Sequence, residues 1–159
     1  ESRSAAERAA AALVPHLRVC VVDDQALIAR QVKQKLEKKV GVESVMKFVI
    51  RTQDAVDAFK AYVERCAAGE EEDAPDVFVM DQNMPLTNGE LCEGTELVNS
   101  MRMSGIEACV MMYSGNASQA RREEYRDAGA NGVIAKGEDV PEGFLRVWSE
   151  FSAKGFDLK

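Results

Sequence analysis

At 159 residues, with 46% hydrophobic, 30% charged and 6% aromatic side chains, the chain has the size and composition of one globular domain. A domain of that length buries enough surface to fold without disulfides or structural metal. The balance of 20 basic and 27 acidic residues, a formal charge of -7, argues against nucleic acid as a partner, and no run approaches the ~18 apolar residues of a membrane span.

The opening residues read as an alanine-rich helical lead-in over 5–14, ended by Pro15, with no signal or transit peptide pattern. Together with a start at Glu1, this predicts a piece of something larger or a trimmed chain, in which 1–16 is a helical lead-in or linker, 17–153 the folded domain and 154–159 a tail. Residues 17–22 (LRVCVV) form an apolar β-branched run, the pattern of a strand buried on both faces, and it stops at Asp23-Asp24. Ile28, Val32, Leu36 and Val40 then recur at helical spacing until Gly41. A second strand is predicted over 45–50, followed by a helix capped by Thr52 with Ala55, Phe59, Val63 and Cys66 on one face. Residues 69–75 (GEEEDAP) read as an acidic surface loop, solvated or docking a partner.

The third strand, 77–80, again runs into a carboxylate, Asp81. Residues 85–94 are turn-rich, and Leu97, Val98 and Met101 mark a helix that stops near Gly105. A fourth strand over 108–113 ends at Ser114, a charged helix spans about 118–128 with Gly129 as its stop, and a short fifth strand, 132–135, ends at Lys136. Asp139 and Glu142 have capping-box spacing before a last helix whose inner face is read as Phe144, Leu145, Trp148 and Phe151. Cys20 and Cys109 lie inside apolar runs, no C-x-x-C pair is present, and His16 is the only histidine. Structural zinc is therefore not expected, while a reducing, cytoplasmic compartment is.

This alternation predicts an α/β fold, a parallel sheet covered by helices on both faces through right-handed crossovers. In such sheets ligands collect beyond the carboxyl ends of the strands. Asp23, Asp24, Asp81, Ser114 and Lys136 all belong there. Each alone is ordinary at a strand-to-loop junction. Together, three crowded carboxylates repel one another unless a cation offsets them, which Lys136 does in part and a hard, oxygen-ligated ion such as Mg2+ would complete.

In this order and at these strand ends, VVDDQ, MDQNMP, YSGN and IAKG resemble the receiver domain of two-component response regulators and hybrid histidine kinases, over about residues 17–151. The resemblance implies a flavodoxin-like (βα)5 doubly wound sandwich with a five-stranded parallel sheet of order 2-1-3-4-5. It also implies roles: Asp81 as phosphoacceptor, Asp24, Asp81 and the Asn83 main-chain carbonyl as ligands of Mg2+, Asp23 acting through a metal-bound water, Ser114 contacting the phosphoryl group and Lys136 pairing with it. The implied donor is a histidine kinase or a histidine-containing phosphotransfer protein, since His16 has no kinase-like motif around it. The implied recipient is an output domain or partner protein, with no nucleic acid or membrane contact by this chain. Such a domain is no enzyme beyond its own phosphorylation and dephosphorylation.

Three departures stand out. The position three before the lysine, usually Tyr or Phe, is Val133, with Tyr113 as a possible substitute more easily read as packing. Gly137 stands where proline usually follows the lysine, so the Lys136-Gly137 bond is expected to be trans. The turn after Pro85 is about five residues longer than usual. A pseudo-receiver that keeps the fold without accepting phosphate stays open, and so does a Mg2+-dependent phosphatase with an aspartyl nucleophile. The latter would need an acid at position 83, where Asn83 stands.

Overall fold

A computed structural model of the chain describes residues 4–154; all of the expected tail except Lys154 lies outside the described residues. Helix α1 (Ala5–Leu13) is capped by the Ser4 side chain and leads through a 3-10 turn, Val14–His16, into strand β1 (Arg18–Asp23). Helix α2 (Ala26–Lys35), β2 (Ser44–Val49), α3 (Gln53–Ala67) and β3 (Val77–Asp81) follow. After them come two short strands, β4 (Asn83–Pro85) and β5 (Leu91–Glu93), then α4 (Gly94–Met103), β6 (Cys109–Ser114), α5 (Gln119–Ala128), β7 (Gly132–Ala135) and α6 (Val140–Ser152).

The main sheet has the order β2-β1-β3-β6-β7 with every pair parallel. Counting only its own strands, this is the 2-1-3-4-5 order of a flavodoxin-like doubly wound fold. The three central strands are buried along almost their whole length, which is why they read as unbroken apolar runs and not as alternating ones. Their side chains alternate between two cores. Val19, Val21, Val77, Val79, Cys109 and Met111 face the core shared with α1, α2 and α6. Cys20, Val22, Phe78, Met80, Val110 and Met112 face the one shared with α3, α4 and α5. The α1 helix is part of that first core: Ala10 and Val14 are buried in it, and the Trp148 indole N–H donates to the Ala10 carbonyl at 2.9 Å.

Caps and stops fall where the sequence puts them. Thr52, Ser118 and Asp139 accept from the backbone N–H three residues on, while Gly129 closes α5 at φ 112°. Three readings change. The helix predicted to run regularly to Val40 widens after Lys35 into a π turn, Leu36–Val40, because the Gly41 N–H reaches back to the Leu36 carbonyl at 2.9 Å with Gly41 at φ 84°. The turn-rich stretch 85–94 contains half of a hairpin, β4 against β5, whose turn is closed by the Leu86 N–H donating to the Glu90 carbonyl and by Gly89 at φ 90°. Leu145 is not on the inner face of α6 but 40% exposed. One step along a helix turns by about 100°, so with Phe144 and Trp148 inside it points out, and Val140 and Val147 complete the buried stripe.

Candidate functional site

Because all five sheet strands are parallel, their carboxyl ends share one edge. The chain leaves β1 for β2 on one side and returns to β3 on the other, so the crevice between the ends of β1 and β3 is the switch point of the sheet. Asp23 is the last residue of β1, Asp24 the next, and Asp81 the last of β3. One carboxylate oxygen from each lies within 4.8 Å of the others. Ser114 ends β6, the strand paired with β3, one residue past the partner of Asp81, and Lys136 follows β7 directly.

Asp23 and Asp81 are almost wholly buried, at 2% and 3% exposure, whereas Asp24 is half-buried. The Lys136 ammonium donates to Asp81 Oδ1 at 2.9 Å, and the Gln82 backbone N–H donates to the same oxygen at 3.0 Å. Asp23 Oδ1 accepts from the Gln25 N–H at 2.9 Å. Burial pushes the Asp23 carboxyl up to about 7; the Gln25 N–H and Lys136 pull against it, while Asp81 and Asp24 add to it. Burial also holds the Asp81 carboxyl above the usual carboxylate range, more than Lys136 offsets. Burial alone would lower Lys136, but its bond to Asp81 keeps it above the ordinary lysine value. One ammonium therefore serves three carboxylates. This donor set, all hard oxygen and short of positive charge, fits a small divalent ion such as Mg2+.

Asn83 lies two residues after Asp81, exposed, as the first residue of β4 opposite Glu93. Ser114 is buried, and its hydroxyl is engaged away from Asp81: Oγ accepts from the Asn116 N–H at 3.1 Å, lies 3.2 Å from the Asn116 carbonyl oxygen and sits 2.7 Å from the Tyr125 hydroxyl. Tyr113 is half-buried against the core with the Lys136 ammonium 5.4 Å from its ring centroid, a packing position that also screens the lysine. Val133 is buried in the core under α5, and no peptide bond among the described residues is cis, so Lys136-Gly137 is trans.

Three supporting residues have no role assigned from the sequence, although Gln82 stands within MDQNMP. The Gln82 side chain is buried and clamps the start of α4, accepting from the Thr95 N–H at 3.0 Å and donating to Thr95 Oγ1 at 3.3 Å. Gly94 packs so closely that an added methyl would run into the Asp81 carbonyl oxygen, so no other residue type fits there without moving the end of β3. Glu138 accepts from the Ala135 N–H at 2.7 Å and from Arg146 at 2.7 Å, bracing the Lys136 turn where a proline would otherwise stiffen it.

The sequence model of the response regulator receiver domain family matches residues 19–147, most of the chain. The chain belongs to this family. Receiver domains of two-component systems therefore supply its context, and solved structures agree on the fold. The receiver domain of the Francisella response regulator 1452 is 21% identical, with 87% of this chain and 99% of that one covered at a TM-score of 0.62. The receiver domain of the histidine kinase CKI1 from Arabidopsis thaliana, in complex with Mg2+ and BeF3-, is 22% identical, with 89% and 95% covered at 0.61. The chemotaxis protein CheY4 of Vibrio cholerae is 23% identical, with 82% and 94% covered at 0.58. No curated protein matches the chain. Among the described residues no helix is long and apolar enough to cross a membrane.

Proposed function

We propose that this receiver domain accepts a phosphoryl group on Asp81 from a phosphohistidine of a histidine kinase or histidine-containing phosphotransfer protein, and changes its surface for an output partner. The observation that carries the reading is the buried Asp81 carboxylate held by Lys136 at 2.9 Å beside two further carboxylates. An ion-paired structural aspartate has no need of Asp23 and Asp24, whose charges only raise its cost.

In the transfer, a carboxylate oxygen of Asp81 attacks phosphorus. The O–P bond forms as the P–N bond to the donor imidazole breaks, and the imidazole nitrogen leaves with the electron pair. Lys136 stays close to Asp81 and draws the equatorial phosphoryl oxygens by charge. Ser114, once turned from Asn116, donates its hydroxyl to one of them. Asp24, Asp81 and the Asn83 main-chain carbonyl would hold Mg2+, with Asp23 acting through a bound water. When bound, the ion supplies positive charge that offsets the carboxylates and the developing phosphoryl charge. The Mg2+ and BeF3- in the CKI1 receiver structure support this assignment by likeness of fold. Asn83 offers no acid to a leaving group, which favours a one-turnover acceptor over a phosphatase, so the domain is no enzyme beyond its own phosphorylation and dephosphorylation. A cytoplasmic setting, where such kinases present their phosphohistidine, goes with this reading.

Intact-mass spectrometry after incubation with Mg2+ and acetyl phosphate tests it. The wild-type chain should gain one phosphoryl group, Asp81→Asn should gain none while keeping a cooperative melt, and equal labelling of both would contradict the assignment.

A further inference from the structure

Tyr125 belongs to no motif, yet among the described residues it is the one side chain that reaches the Ser114 hydroxyl. It sits on α5, fully buried in the same core as Val133, with its hydroxyl 2.7 Å from Ser114 Oγ and 3.2 Å from the Asn116 carbonyl oxygen. A ring on β7 cannot follow Ser114 here, because position 133 is a stiff β-branched valine.

Three oxygens, Ser114 Oγ, Tyr125 Oη and the Asn116 carbonyl, are in mutual reach and share two hydroxyl protons. Phosphoryl oxygens only accept, so an acyl phosphate on Asp81 takes the Ser114 proton out of this triangle. The Tyr125 proton is then the only hydroxyl proton left for the Asn116 carbonyl, which would otherwise lose its Ser114 partner.

We propose that Tyr125 is the positioning residue for Ser114. It holds the Ser114 hydroxyl off Asp81 in the resting domain and, when the phosphoryl group claims that hydroxyl, transfers its own proton donation to the Asn116 carbonyl, carrying the signal into α5. This rests on the reading of Asp81 as acceptor. The signal therefore passes through the loop after β6 and the underside of α5, not through β7.

NMR on the full chain with Mg2+ and beryllofluoride tests the proposal, with ring-carbon labels on the three tyrosines. Loss of one ring signal in Tyr125→Phe identifies Tyr125. In the wild type that signal should shift on beryllofluoride addition together with the amides of Asn116 and α5. Ser114→Ala should place it at the shifted position without ligand and leave it there. Tyr125→Phe keeps the ring and should bind beryllofluoride within about ten-fold of wild type, because the Asn116 carbonyl, left without the Tyr125 proton, belongs to an exposed residue and can turn to water. Its amides near 81 and 136 should respond while the α5 response is lost. A full α5 response in Tyr125→Phe, or a wild-type Tyr125 signal that stays put while 81 and 136 respond, would overturn this proposal alone. No response at 81 and 136 in the wild type would overturn the acceptor reading, and this proposal with it.

Discussion

Asp23 is the residue at which site chemistry and stability most clearly collide. Its carboxyl is buried at the end of β1 with Asp81 and Asp24 beside it and is pushed up to about 7, so the folded domain holds a proton that the unfolded chain releases near 3.8. A group with its folded value raised favours folding fully below the unfolded value and loses that contribution as pH rises through the folded value. The penalty for ionised Asp23 thus builds between about pH 4 and pH 7. We predict that, in EDTA, Asp23→Asn gains stability over wild type across this window and levels off above it, by up to about 4 kcal/mol at ~1.4 kcal/mol per pKa unit. Urea melts of both proteins from pH 4 to 8 check this; an advantage that shrinks with rising pH would refute it. That Asp23, Asp24, Asp81, Ser114 and Lys136 share one edge was legible because each stands at or next to the end of an apolar run, a signal that needs no tertiary knowledge. Tyr125 was not. Its single hint is a large aromatic in an otherwise charged helix, and only the packing shows its hydroxyl turned toward Ser114.

Among the elements, the turn between β7 and α6 shows how the family's pattern is met by other means. Lys136 reaches Asp81 from a turn with Gly137, the most permissive residue, at its next position. Glu138 offsets that freedom by accepting from the Ala135 N–H while Arg146 on α6 holds its carboxylate and donates to the Val133 carbonyl at 2.7 Å. Glu138→Ala leaves the Ala135 N–H and the Arg146 guanidinium without this partner. We expect a loss of about 1–2 kcal/mol in stability and slower labling by acetyl phosphate as Lys136 loses its fixed approach. Thermal melts and labelling rates measure the two, and unchanged rates would remove Glu138 from the support of the site. Helices with caps and strands buried on both faces were legible here, since Thr52, Ser118, Asp139 and Gly129 mark their ends chemically. The β4–β5 hairpin was hidden because strands of three residues are too short to show a period, and its register depends on Met84 and Leu86 finding the core. The exposed Leu145 was misread for a related reason: an apolar residue beside the buried stripe carries no mark of which way it turns.

For the molecule as a whole, parallel pairing does the gathering. Five strands of one direction bring residues from 23 to 136 to a single edge, and the two cores on either face fix that edge in place. The acidic loop at 69–75 stands before β3, at the opposite edge, tied to the body through Arg18 and Arg65. A cluster of three carboxylates with one ammonium makes the domain dependent on what it binds. Mg2+ at about 100 times its dissociation constant should stabilise it by about 2.7 kcal/mol if the unfolded chain does not bind it. Melts in millimolar Mg2+ and in EDTA should therefore separate for wild type and nearly coincide for Asp24→Ala; coincident wild-type melts would remove the metal from the site. The most direct test of the central claim is to locate the acyl phosphate itself. Borohydride reduces an aspartyl phosphate to homoserine, so the chain labelled by acetyl phosphate in Mg2+ should, after reduction and peptide sequencing by mass spectrometry, carry homoserine at position 81. Homoserine at 23 or 24, or none at any position, would contradict the account.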